Sequence, residues 1–297
     1  MSNTNWLLVV SLGMIWGSSF LFAEILLNKL NPWMIVFLRV SLASIVLISF
    51  CIYKKLNLKL KLNDYFNISV MSLLNNVIPF LLIVYGQKTI TGGLASIINS
   101  STAFFSIILA SILISNEKLY FSRIAGVVIG ILGVIITIGY DNIFEINKEG
   151  IGSYYILLAT ISYSFAGIWA KTKMQNLPSL LSATGMTSMS TILLSPIIII
   201  YHSEQFYLID SIVFINAMLY ALLCSVFAYL IYFKILETTG VGNLSMCTII
   251  VPPSSIILNF IVLGEYILLK EMLGIIVISV GLIILDGRIF NYLKLKV

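Results

Sequence analysis

The sequence predicts an all-α integral membrane protein whose ten transmembrane helices form two inverted five-helix repeats. Three observations predict it: a composition too apolar for a water-facing surface, ten apolar runs of membrane-crossing length, and a self-match of the chain at a fixed offset. Of the 297 residues, 60% are hydrophobic and 10% charged, with a mean hydropathy of +1.06. A soluble domain carries about 25% charged residues, so this chain cannot clothe itself in water. The bilayer is its solvent.

A helix rising about 1.5 Å per residue needs about 20 apolar residues to cross a hydrocarbon layer about 30 Å thick. Ten runs meet that length: 5–27, 32–53, 65–86, 91–115, 121–140, 151–171, 178–201, 211–233, 243–263 and 267–286. Turn formers and polar residues separate them. Asn31-Pro32 opens span 2, Asn63-Asp64 precedes span 3, and Asn116-Glu117 precedes span 5. Lys148-Glu149-Gly150 and Asn176-Leu177-Pro178 bracket span 6. No loop has the length of a soluble domain. The run from Trp6 to Ala23 has no basic residue before it and no small-residue cleavage site after it, so it is expected to stay as a helix.

The formal charge of +5 comes from 17 Lys and Arg against 12 Asp and Glu. These basic residues sit in short loops, where they report orientation and not nucleic acid. An inside N-terminus puts Lys54, Lys55, Lys59, Lys61, Lys118, Arg123, Lys171, Lys173, Lys234, Arg288, Lys294 and Lys296 on one face. The other face receives only Lys29, Lys88, Lys148 and Lys270. Both termini are therefore expected in the cytoplasm, which requires an even number of spans. The expected location is the cytoplasmic (inner) membrane of a prokaryote.

Shifting the chain by 148 residues lays 65–139 on 213–287 without a gap. Gly92, Gly126, Gly133 and Gly139 fall on Gly240, Gly274, Gly281 and Gly287, and Glu117 falls on Glu265. In a chain this apolar, glycines and charges carry the signal. The chain thus reads as two fused repeats, 1–140 with spans 1–5 and 150–288 with spans 6–10. An odd number of spans per repeat turns the second repeat upside down in the membrane. Inverted repeats allow two near-equivalent packings, the basis of alternating access in many transporters.

The sequence resembles the EamA-type branch of the drug/metabolite transporter superfamily over nearly its whole length. The resemblance rests on Trp16-Gly17-Ser18-Ser19-Phe20 in span 1, and on Pro32 with Phe37-Leu38-Arg39 in span 2. Asn76 with Pro79-Phe80 and Gly93-Leu94-Ala95-Ser96-Ile97-Ile98 add to it. So do Glu117 and Gly126, with Glu265 and Gly274 in the second half. It implies a ten-helix carrier with a central cavity for small organic solutes such as amino acids, metabolites or toxic compounds, with export as the expected direction. The chain departs from the usual pattern at Glu24, where members often have a basic or apolar residue.

Ionisable groups inside the hydrocarbon are costly and mark functional candidates. Glu24 and Arg39 are two, both in the outer half. Three readings stand: each reaches the interface, the two form a structural pair, or they serve substrate and protons. If protons couple to transport, Glu24 is the candidate. Polar residues near mid-membrane form a second group, which helix–helix bonding or a wet cavity would explain. The cavity candidates are Trp16, Ser19, Arg39, Asn75, Asn76, Asn99, Tyr163 and Cys247. Thr248 stands beside the last. Trp16, Tyr85, Tyr163, Trp169 and Tyr229 hint at aromatic or amphipathic solutes.

Other features read as shape. Pro79, Pro196 and Pro252-Pro253 interrupt spans 3, 7 and 9. Gly126, Gly130 and Gly133, with Gly274 and Gly281, form small-residue stripes for close packing within the bundle or at a homodimer surface. Glu117 and Glu265 are placed to cap the N-termini of spans 5 and 10. Cys51, Cys224 and Cys247 lie in apolar runs with no metal or redox spacing.

The chemistry of an enzyme is not expected. The single histidine, His202, falls in a loop, and no H-E-x-x-H or phosphate-cradling loop occurs. The expected partners are a small solute and membrane lipid, with no nucleic acid, no metal and no cofactor. A channel or structural subunit is the alternative, and it lacks a repeated ring of charge.

Overall fold

The computed structural model describes residues 3–56, 60–114, 120–139, 148–239 and 247–286. Every regular element among them is helical. The helices are α1 (Asn3–Leu27), α2 (Pro32–Tyr53), α3 (Leu62–Gly86), α4 (Gly92–Leu113) and α5 (Phe121–Ile138). There follow α6 (Lys148–Lys173), α7 (Ser179–Tyr201), α8 (211–239), α9 (Cys247–Leu263) and α10 (Leu269–Asp286). Eight of them, α1 to α8, contain a stretch long and apolar enough to cross a membrane. Their outward faces carry large apolar side chains such as Ile45, Ile112 and Ile200. This is a multi-pass membrane protein.

Helix starts follow local chemistry. Asn31 caps α2 by accepting Met34 N–H at 2.9 Å, with Pro32 in the first turn. Thr91 caps α4 through Leu94 N–H at 3.1 Å, and Asp210 caps α8 through Val213 N–H at 2.9 Å. At α10 the cap differs from expectation: Glu271, not Glu265, accepts the Leu268 N–H, at 3.0 Å. Glu265 lies in the turn before the helix, too far from its first N–H groups, and meets Glu24 instead. Glu117 lies outside the described residues.

The packing is built on a few helix pairs. α5 lies along α10, α1 along α9, α2 along α7, and α6 against both α3 and α4. α8 packs on α1 and α2, and α7 on α3. Exchanging each helix with the one five places along turns this set of pairs into itself. The glycine stripes are spent inside the chain, where α5 meets α10 backbone to backbone. A Cβ on Gly281 would stand 2.7 Å from Gly130 N, and one on Gly133 would stand 2.7 Å from Ile278 N. Gly139 ends α5 at φ +85°, a backbone conformation that suits glycine.

Two helices contain a π-helical turn, Leu73–Val77 in α3 and Leu222–Phe227 in α8. The two lie within two residues of the 148-residue offset. Pro79 has no N–H for the carbonyl of Asn75, four residues back, which favours the turn in α3. In α8 the equivalent position is Phe227, so the turn forms there without proline. Pro196 and Pro252-Pro253 lie inside α7 and α9 without ending them.

Candidate functional site

The two π turns face a cavity of about 360 Å³ near the centre of the bundle. Its wall takes residues from α1, α2, α3, α4, α6, α8 and α9, while α5, α7 and α10 stay outside it. Aromatic rings dominate: Trp16, Phe20, Phe80, Tyr163, Tyr220, Tyr229 and Tyr232. Ser19, Asn75, Asn99, Ser100, Thr102 and Thr248 add polar atoms. Among the described residues Arg39 is the one charged residue of the wall.

Arg39 is 6% exposed. Its Nε donates to Ser225 Oγ at 3.2 Å, Nη1 to Tyr220 Oη at 2.8 Å and Nη2 to the Cys224 carbonyl at 3.3 Å. All three acceptors come from α8, at and just before its π turn. The guanidinium also stacks on Phe80, 3.7 Å from the ring centre, and on Tyr220 at 4.4 Å. The ion pair with Glu24 that the sequence allowed is not formed, because α8 holds Arg39 toward the cavity. Arg39 also does not reach out to the interface.

Glu24 sits in a separate polar cluster at the end of α1. Its Oε2 accepts Gly92 N–H at 2.8 Å, and Gln87 and Glu265 lie beside its carboxyl. Asn259 closes in beside Gly92, with its Nδ2 3.3 Å from Ser255 Oγ. Gln87 donates to the Phe20 carbonyl at 2.9 Å. Gly92 lets these side chains close in, since a Cβ would stand 2.7 Å from the Glu24 carboxyl.

Of the sequence candidates, Trp16, Ser19, Arg39, Asn75, Asn99 and Tyr163 line the cavity. Asn76 does not. It is fully buried, donates to Ser190 Oγ at 3.2 Å and accepts from Tyr229 Oη at 3.4 Å, tying α3 to α7 and α8. Cys247 also turns away, its thiol aimed at the Val9 carbonyl at 3.5 Å, and Thr248 takes the cavity position. Tyr85 packs on Tyr155, and Trp169 bonds the Asn67 carbonyl at 3.2 Å, so neither faces the cavity. Sequence reasoning passed over Phe80, Tyr220, Tyr232 and Gly167 as wall residues. A signal for the tyrosines existed: Tyr220, Cys224, Tyr229 and Tyr232 follow one another in steps of four, five and three, a helical stripe with one π step.

A bundle of membrane-crossing helices around a polar and aromatic cavity has the architecture of a membrane transporter. The chain belongs to the EamA-like transporter family, which matches residues 4–139 and again 150–285. The uncharacterized transporter in the trpA 3′ region of Buchnera aphidicola subsp. Schlechtendalia chinensis is 29% identical over 198 residues. That alignment covers 64% of this chain and 65% of the relative. The uncharacterized transporter YoaV of Bacillus subtilis is 19% identical, over 92% of this chain and 94% of its own length. A probable amino-acid metabolite efflux pump of Salmonella typhimurium is 24% identical, over 96% and 95%. A crystal structure of another protein at 12% identity shares the fold with a TM-score of 0.69, over 97% of this chain and 99% of that one.

Proposed function

We propose that this chain is a secondary transporter that exports a small organic solute across the cytoplasmic membrane of a prokaryote. It works by alternating access between two inverted five-helix repeats, 1–140 and 150–288. The observation that carries the reading is the central cavity, whose wall draws on spans from both repeats. Ten spans follow if α9 and α10, of 17 and 18 residues, also cross. Their packing along α1 and α5 supports this, as does the even number that two cytoplasmic termini need. The exchange symmetry of the helix contacts supports the repeats, and the relatives named as efflux pumps support export.

The cavity residues Gly167, Ala170, Tyr232 and Thr248 lie toward the helix ends that the basic residues assign to the cytoplasm. The opposite ends are tied together. Lys29 pairs with Asp210, Asn31 N–H donates to Gln205 Oε1 at 2.9 Å, and Asn31 Nδ2 lies 3.2 Å from His202 Nδ1. The lean of the cavity toward the cytoplasmic ends supports an inward-open state, with the outer ties parting in the other half of the cycle. Glu24, among those outer ends, is the candidate for coupling to protons.

Gly167 supplies the test. A Cβ there meets nothing within 4 Å, so the position in the cavity wall has room for a side chain to begin. Purified protein in liposomes is assayed for counterflow of labelled amino acids and metabolites. The parent and Gly167→Ala are expected to exchange the same compounds, and folded Gly167→Phe to fall to the level of empty liposomes. Undiminished counterflow in Gly167→Phe would exclude this cavity as the route, and no flux by folded parent protein would exclude the transporter reading.

A further inference from the structure

We propose that the cavity selects monoanionic solutes, a carboxylate carried on an aromatic or apolar body, and that Arg39 receives the carboxylate. The proposal rests on the transporter reading above and adds the chemical class of the cargo.

The argument starts from an uncompensated charge. An ion taken out of water is costly unless an opposite charge or a full set of hydrogen bonds meets it. Arg39 is 6% exposed, and its three partners, Ser225, Tyr220 and the Cys224 carbonyl, are all neutral. Among the described residues the cavity wall contains no Asp or Glu. The Lys29–Asp210 ion pair lies away from the cavity. A guanidinium has five N–H donors in a planar fork suited to a carboxylate. Three are engaged, which leaves one on each terminal nitrogen without an acceptor among the described residues. These two N–H groups are the donors left for a carboxylate.

The seat of Arg39 is rigid. Phe80 and Tyr220 stack on the guanidinium, and the α8 π turn presents the Cys224 carbonyl to it. Such a fixed cation gains more from an anion in a low-dielectric cavity than a mobile surface lysine would. The remaining wall is mostly ring faces, from Trp16, Tyr163, Tyr229 and Tyr232. At about 360 Å³ the space lies at the small end of ligand pockets, suited to a solute with one ring system. An ammonium group finds no carboxylate in this wall and is repelled by Arg39. Free amino acids should therefore be poorer ligands than the acids that lack the amine.

Four probes of nearly one shape separate these terms: 3-phenylpropionate, its neutral amide, L-phenylalanine and 3-phenylpropylamine. Binding is measured on the full-length purified protein by thermal stabilisation, and flux by counterflow in liposomes. The acid is expected to bind roughly ten- to a hundredfold more tightly than the amide, the usual range for a charge-assisted bond, with the amine weakest. Arg39→Met is expected to lose the preference for acid over amide, and Arg39→Lys to keep part of it. Should Arg39→Met fail to fold, the ratio of acid to amide on the parent decides alone. A parent that binds amide, amine or zwitterion as well as the acid overturns the assignment, and so does one that binds none of the four. Selective binding of the acid without flux would leave the anion site standing and reject transport. Flux without preference for the acid would do the reverse.

Discussion

The Glu24 carboxyl accepts Gly92 N–H, with Gln87, Glu265 and Asn259 close by. Moving α1 away from the turn before α10 would part the Glu24 and Glu265 carboxyl groups, and that separation is the step to which a proton could be tied. The expected outcome for Glu24→Gln is solute counterflow at equal pH without acceleration by a proton gradient. A gradient response equal to the parent's would remove Glu24 from the mechanism. At this scale the sequence was legible in kind and not in direction. Asn75 and Asn76 are adjacent, yet one borders the cavity and the other ties α3 to α7. Cys247 and Thr248 divide in the same way. Composition places such residues at mid-membrane, but which neighbour faces inward depends on helix rotation, which only the packing sets. Arg39 shows the same limit, since its partners come from α8, 181 residues and more along the chain.

Helices were far more legible than the directions of their side chains. The expected span at 32–53 is α2 itself, and the span at 65–86 ends with α3 at Gly86. Length of apolar run and turn chemistry are local quantities, so they survive without tertiary information. The π turns are not legible, because Leu73–Val77 has no distinguishing composition. The glycine stripes were legible as packing, and their partner can now be named. On Gly281 a Cβ would approach Gly130 N and Cα at 2.7 and 2.8 Å, both backbone atoms that cannot swing aside. Gly281→Ala therefore forces α5 and α10 apart, and is expected to cost about 1–3 kcal/mol, read as a lower Tm in detergent. Gly167→Ala, in open space, serves as the control. Equal loss at both positions would show that helix propensity and not close approach is at work.

Across the whole molecule, Lys29, Asn31, His202, Gln205 and Asp210 gather at one end of the bundle and tie it by polar contacts. The Lys29–Asp210 pair belongs to the tied end, with side chains 50% and 48% exposed. A pair this open is screened by solvent and adds little to static stability. The bond from Lys29, followed by that from Val213 N–H, holds the Asp210 carboxyl below its ordinary range. With a depressed pKa, its contribution is complete above the ordinary value and is lost only as pH falls through the lower one. The latch therefore does not titrate near neutral pH. Asp210→Asn is expected to quicken hydrogen exchange across 28–32 and 203–210 at neutral pH, with the difference shrinking in high salt and vanishing in strong acid. Unchanged exchange would mean that the other ties close this end without it. The π turns carry a consequence for the molecule's rotational phase. In α3 the exposed side chains Leu62, Phe66 and Leu73 keep to ordinary helical steps, and the next is Ile78, five residues on. One added residue turns all that follows by about 100°, so the two ends of α3 obey the same period with different origins. A ladder of single cysteines read along this helix would come out as two separate waves that join at Asn75, and α8 would give a second such seam on the far wall of the cavity.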